Sequence, residues 1–140
     1  MSLDALGDVN WLAIIVAALA YWALGALWYS PILFGNRWLK ATGIEMEAEG
    51  PPPIIYLAPL VGYLVAAIAT GMLAVSTGSD SFGDGLVLGL VVGVGYAVML
   101  AGVTAVFDAN KPSPLTWFWI TAAFNLLGLV IVGVIVSIWD

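Results

Sequence analysis

The sequence predicts an all-α integral membrane protein, a four-helix bundle with a short interfacial amphipathic segment between its first and second spans. Three observations predict it. Of 140 residues, 63% are hydrophobic and 9% charged, with a mean hydropathy of +1.09; a soluble domain carries about a quarter charged residues to keep its surface wetted. The apolar residues gather into four runs, each near the roughly 20 residues that let a helix cross about 30 Å of hydrocarbon. None of these runs has a Lys, Arg, Asp or Glu in its interior. Within lipid every backbone amide must find a partner in its own segment, which imposes a helix on each run.

The spans are read as about 11–29, 54–75, 86–107 and 115–139, forming a single domain over 1–140. The acidic stretch Met1 to Asn10 does not look like the basic start of a cleavable leader, so the first run is expected to be retained as a span. The first connection is the longest and ends in Pro51-Pro52-Pro53, which cannot continue a helix. Within it Phe34, Trp38, Leu39 and Ile44 alternate with Arg37 and Lys40, an amphipathic pattern expected to lie in the interface with its aromatic groups toward lipid. The second connection, Ser76 to Gly85, is a polar Ser/Gly/Asp loop, and the third is the tight turn Asp108 to Pro114.

All three cations, Arg37, Lys40 and Lys111, fall in the first and third connections. The positive-inside rule then puts connections 30–53 and 108–114 in the cytoplasm and both termini outside a cell membrane. Trp11 and Trp139 fall at the outer level, and Trp28, Tyr29, Tyr56, Trp117 and Trp119 at the inner one, as two aromatic belts. Trp22 falls inside the first span, facing lipid or filling a gap between helices.

Small residues mark where spans can approach closely. Gly85, Gly89 and Gly93 repeat at four-residue spacing with Ala97 continuing the row, and the second span carries Gly62, Ala66 and Thr70. Ala13, Ala17, Tyr21 and Gly25 mark the first span, and Gly128 and Gly133 mark the fourth more weakly. The ordinary reading is packing of the second span on the third; the alternative is an interface between copies, for which Gly95 and Gly102 offer a second face.

Chemistry has little to work with. The chain has no cysteine and no histidine, which excludes disulfides, thiol nucleophiles, Cys/His metal sites and every Ser-His or Cys-His mechanism. A formal charge of −6 with three cations argues against nucleic acid as a partner. No cofactor and no metal site is expected: Glu45, Glu47 and Glu49 read as solvated loop acids. The Ser81-Phe82-Gly83-Asp84 stretch superficially resembles an intramembrane aspartyl protease motif, but it has no second membrane-embedded aspartate. An enzyme is therefore not expected. The polar residues within spans are the remaining candidates, because each is costly in lipid without a reason. Tyr63, Tyr96, Thr121 and Asn125 are candidate ligand or pathway residues, with Tyr21 and Thr104 beside them. Asn125 pairing across to a neighbouring helix is the structural reading.

One segment carries a resemblance. Asn10-Trp11, then Gly25-Ala26-Leu27-Trp28-Tyr29-Ser30-Pro31, Phe34-Gly35, Trp38 and Gly43, resembles a family of small prokaryotic membrane proteins catalogued as domain of unknown function 1761. The length, the four spans, the Gly-rich third span and the Trp at the start of the fourth agree as well. The resemblance implies a four-span membrane protein and brings no activity with it. It draws attention to Gly25, Trp28, Tyr29, Pro31, Gly35 and Trp38 as a corner at the inner interface: a helix-end anchor, or, with Arg37 and Lys40 nearby, a site for a lipid headgroup or small ligand. The functional expectation is a structural or assembly subunit that forms a homo-oligomer or joins a larger membrane complex. The alternative is a small transporter or channel for an uncharged or lipophilic solute.

Overall fold

The computed structural model describes residues 1–45, 50–108 and 110–139. The first helical turn, α1 (Ala5–Asp8), is too short to carry a periodic signal and was not legible in the acidic N-terminus. It leads Val9 inward against Gly71. The first span, α2 (Trp11–Trp28), begins at Asn10, whose side chain accepts from the amides of Leu12 and Ala13. This satisfies two donors that a helix start leaves unpaired. The Asn10 amide also donates to the Trp139 carbonyl at 2.7 Å, tying the first span's start to the last span's end.

The span stops where Ser30 Oγ turns back on the Leu27 carbonyl and Pro31 redirects the chain. A short helix, α3 (Gly35–Thr42), follows and ends at Gly43 in the left-handed region (φ 72°), which favours glycine. Its aromatic residues do not face lipid. Phe34, just ahead of it, packs on Trp28 (ring centroids 4.6 Å apart) and Trp38 on Tyr29 (5.4 Å), while Arg37 and Lys40 are exposed. The amphipathic pattern holds, but the apolar side covers the bundle because adjacent aromatic rings offer it closer contact than acyl chains do. Ile44 and Glu45 are exposed; Glu47 and Glu49 lie outside the described residues.

The second span is α4 (Ile54–Thr77), with Pro59 inside it. The third span, Phe82–Phe107, consists of α5 (Phe82–Val92), a π-helical turn (Gly93–Val98) and α6 (Met99–Phe107). It starts four residues before the apolar run because Ser81 caps it: its hydroxyl accepts from the Asp84 amide and donates to the Asp84 carboxylate. The stretch Ser81 to Asp84, expected in a loop, is thus the opening of a helix. The fourth span is α7 (Pro114–Ile138), with proline at its first turn. The chain is a multi-pass membrane protein with all four spans helical.

The fourth span is the hub. Half of its most apolar window is buried against 17% for the third span, and it touches α2, α4 and α5 along their lengths. The glycine row corrects the expected pairing. A Cβ on Gly85 would lie 2.7 Å from the Gly133 carbonyl, and one on Gly89 would lie 2.5 Å from Val130 Cα. A Cβ on Gly133 would meet the Gly85 carbonyl at 2.5 Å in return. The row therefore seats the third span on the fourth, not on the second. The second span's row is open at Gly62, with nothing within 4 Å, while Ala66 is half-buried and Thr70 buried with its hydroxyl on the Ala66 carbonyl. Gly62 cannot serve as one half of a two-helix seam here, because α4 meets α5 only slightly.

Candidate functional site

Four polar residues expected in the spans, Tyr21, Tyr63, Thr121 and Asn125, come together at α7. Asn125 accepts from the Tyr21 hydroxyl at 2.6 Å and donates to the Thr121 carbonyl one turn earlier. Tyr21 is 3% exposed and lies over Gly128, the only kind of residue that leaves room for its ring. Tyr63 stacks on Tyr21 with centroids 4.2 Å apart. Phe124 closes the group, touching Tyr21, Trp28, Tyr29 and Tyr63 edge-on or tilted. These are the geometries that the negative faces and positive edges of aromatic rings prefer.

The Gly25–Trp38 corner is continuous with this group. Gly25 leaves the space that Phe124 fills, a Cβ there standing 3.2 Å from the Phe124 ring and 3.6 Å from the Tyr63 hydroxyl. Trp28 Nε1 donates to the Ile120 carbonyl at 3.1 Å, an acceptor inside α7 with a spare lone pair. Gly35 is required where α3 starts: a Cβ would collide with the carbonyl oxygens of Tyr29 and Ser30. The Ser113 amide donates to the Ala41 carbonyl and Gly43 abuts Pro112, docking α3 on the turn before α7. Pro31 is exposed at the bend. Arg37 is exposed, and among the described residues no cation–π contact or ion pair ties it to the aromatic group.

One polar atom in this nest is left over. Thr121 Oγ1 is buried and makes no well-formed hydrogen bond among the described residues, although the Tyr29 side chain is its neighbour. A buried hydroxyl in that state costs free energy unless a bound group meets it.

Tyr96 does not join the nest. It lies in the π-helical turn near the middle of the third span, is 66% exposed, and its hydroxyl takes part in no hydrogen bond among the described residues. Gly95 beside it has nothing within 4 Å. The π turn itself escaped the sequence reading, yet a signal for it exists. A strict four-residue repeat drifts by about 40° per step around an α-helix, so Gly85 to Ala101 would wander about 160° off one face. One wider turn takes back part of that drift. Ala97 and Ala101 accordingly stay packed toward the core.

Trp22, the aromatic residue within the first span, is half-buried and reaches across to the second span. Its indole donates to the Tyr56 carbonyl at 2.8 Å, three residues before Pro59 in α4. Among the described residues no cluster of three acids could hold a metal ion.

A family model for proteins of unknown function, DUF1761, matches residues 12–137. The chain belongs to this family. The matched residues take in the whole nest and the corner of this DUF1761 member. They begin two residues after the capping Asn10 and end before Trp139, its partner at the other end of the bundle. No curated protein and no solved structure matches the chain.

Proposed function

We propose that the protein is a non-catalytic membrane subunit that assembles with copies of itself through the outer face of its third span. One observation carries this reading: the Tyr96 hydroxyl stands near mid-span, outward-facing and without a partner among the described residues, beside the open Gly95. Hydrocarbon offers a hydroxyl nothing to bond, whereas a neighbouring helix offers one. The inner row, Gly85, Gly89 and Gly93, is consumed within the chain and contributes nothing to such an interface. In this reading the protein lies in the cell membrane with both termini outside, and connections 30–53 and 108–114, which hold the three cations, in the cytoplasm.

The chain has no cysteine, so a single introduced one reports its own environment. Gly95→Cys in native membranes is expected to cross-link into a discrete homo-oligomer, and Ala123→Cys on the outward side of α7 is not. Failure of every outward third-span position to cross-link, with the released protein monomeric by native mass spectrometry, overturns the reading.

A second reading is favoured by the unpaired Thr121 hydroxyl: binding or passage of an uncharged solute along Tyr63, Thr121 and Asn125. Asn125→Leu then abolishes solute flux into proteoliposomes. Under the assembly reading it changes stability alone.

A further inference from the structure

The turn before α7 and the short helix α3 border a shallow, open recess of about 350 Å³ lined by Trp38, Thr42, Asp108, Asn110, Lys111 and Trp117. Its depth is fixed by the helices around it. Phe107 ends the third span, Pro114 begins the fourth, and Trp117 lies in the first turn of the latter. The recess therefore opens at the level where acyl chains give way to headgroups, among the Trp and Tyr residues that favour that level.

Its charge is unusual for a basic membrane face. Arg37 and Lys40 sit outside it and are exposed, so among the described residues the recess holds one cation and one anion, Lys111 and Asp108, bonded to each other. Lys111 has three N–H donors and gives one to Asp108; the carboxylate accepts from Lys111 on Oδ2 and only weakly, at 3.4 Å, from the Asn110 amide on Oδ1. The ammonium lies over the Trp117 ring, 4.6 Å from its centroid. Among the described residues the pair thus keeps spare donors and a spare acceptor side by side, held against an indole.

We propose that this recess binds the headgroup of a zwitterionic phospholipid carrying a phosphate and a primary ammonium. The phosphate takes the free N–H groups of Lys111, and the lipid ammonium donates to Asp108, closing a ring of four alternating charges. A purely anionic headgroup meets the Asp108 carboxylate and is disfavoured inside the recess. A quaternary ammonium has no N–H to give Asp108, and the Trp117 face that would attract it is already covered by Lys111. The occupant is a membrane lipid and not a free metabolite, because the recess is level with the bilayer surface, where Trp117 stands in the inner aromatic belt.

The test is native mass spectrometry of the full chain released from nanodiscs of equal parts phosphatidylethanolamine, phosphatidylcholine and phosphatidylglycerol. The unaltered protein is expected to retain one phosphatidylethanolamine in preference to the other two. Lys111→Gln and Asp108→Asn each lower that retention about tenfold, the loss of one charge-assisted bond, while the pair Arg37→Gln and Lys40→Gln leaves it unchanged. Equal retention of the three lipids by the unaltered protein overturns the proposal, whether or not the variants fold. So does retention that survives both recess substitutions. Displacement of the adduct by soluble phosphoethanolamine overturns the lipid assignment.

Discussion

The Tyr21 hydroxyl donates to Asn125 Oδ1 at 2.6 Å, joining the first span to the fourth through a residue that is 3% exposed. The bond lies where neither partner can turn to water. Removing Asn125 leaves a buried phenol with nothing to bond, and removing both partners leaves only apolar surface. Asn125→Leu is expected to lower stability in detergent by about 1–2 kcal/mol, and adding Tyr21→Phe to recover part of that loss. Thermal unfolding of the four proteins of this double-mutant cycle measures the coupling; strict additivity means the bond contributes nothing.

The contrast between Gly89 and Gly62 is sharper. A methyl group on Gly89 meets Val130 Cα at 2.5 Å, backbone that cannot yield without moving the helix, while one on Gly62 meets nothing within 4 Å. Gly89→Ala is expected to destabilise by about 1–3 kcal/mol through overpacking. Gly62→Ala should be neutral or slightly stabilising, since alanine is the better helix former. Equal effects at the two positions contradict the seating of the third span on the fourth.

Gly35→Ala tests the corner. The added methyl collides with the carbonyl oxygens of Tyr29 and Ser30, so α3 must shift away from the end of α2. Trp38 then separates from Tyr29 and Phe34 from Trp28. A red-shifted tryptophan emission with α-helix content retained is the expected result; an unchanged spectrum argues that the corner tolerates the methyl.

Acid should act at one described turn. The Lys111 ammonium beside Asp108 holds the Asp108 carboxyl below its ordinary value. A carboxyl whose folded pKa is depressed contributes stability that is fully present above its unfolded pKa and is lost as pH falls through the folded one. Loss of the ion pair is therefore expected below about pH 4, where unperturbed aspartates protonate, and it is small because the pair is solvated. Since Lys111 lies over Trp117, the step should register in tryptophan fluorescence. Asp108→Asn should remove it.

How much of this was legible from residues alone follows from what each signal encodes. Uncharged runs of about 20 residues leave the backbone no choice but helix, so four spans could be read directly. A glycine row states that a helix has a flat face, but not which neighbour uses it. The partner of Gly85 and Gly89 turned out to carry the fainter signal, Gly133, because one glycine at a crossing point suffices there. Thr121 and Asn125 were visible as polar residues in an apolar run, and Tyr63 joined them through its stacking on Tyr21. Tyr96 had the same signature and faces away, since composition gives depth but not direction. Phe34 and Trp38 were legible as amphipathic, but whether lipid or aromatic side chains would cover them depended on how sharply Ser30 and Pro31 fold the chain back.

The helix that gathers the bundle is the fourth of the four spans in chain order, and membrane helices are made from the N-terminus onward. While the ribosome is still emitting residue 113, α2 and α4 can pair, but the third span has its glycine face turned to lipid with nothing to close on. For that interval the chain is an open pair plus a loose helix. Arrival of α7 joins all three at once and meets Tyr21, Gly25 and Gly89 together. Folding inside the bilayer thus waits for α7, and a nascent chain arrested before α7 displays its small-residue seam to whatever chaperone or protease surveys the membrane.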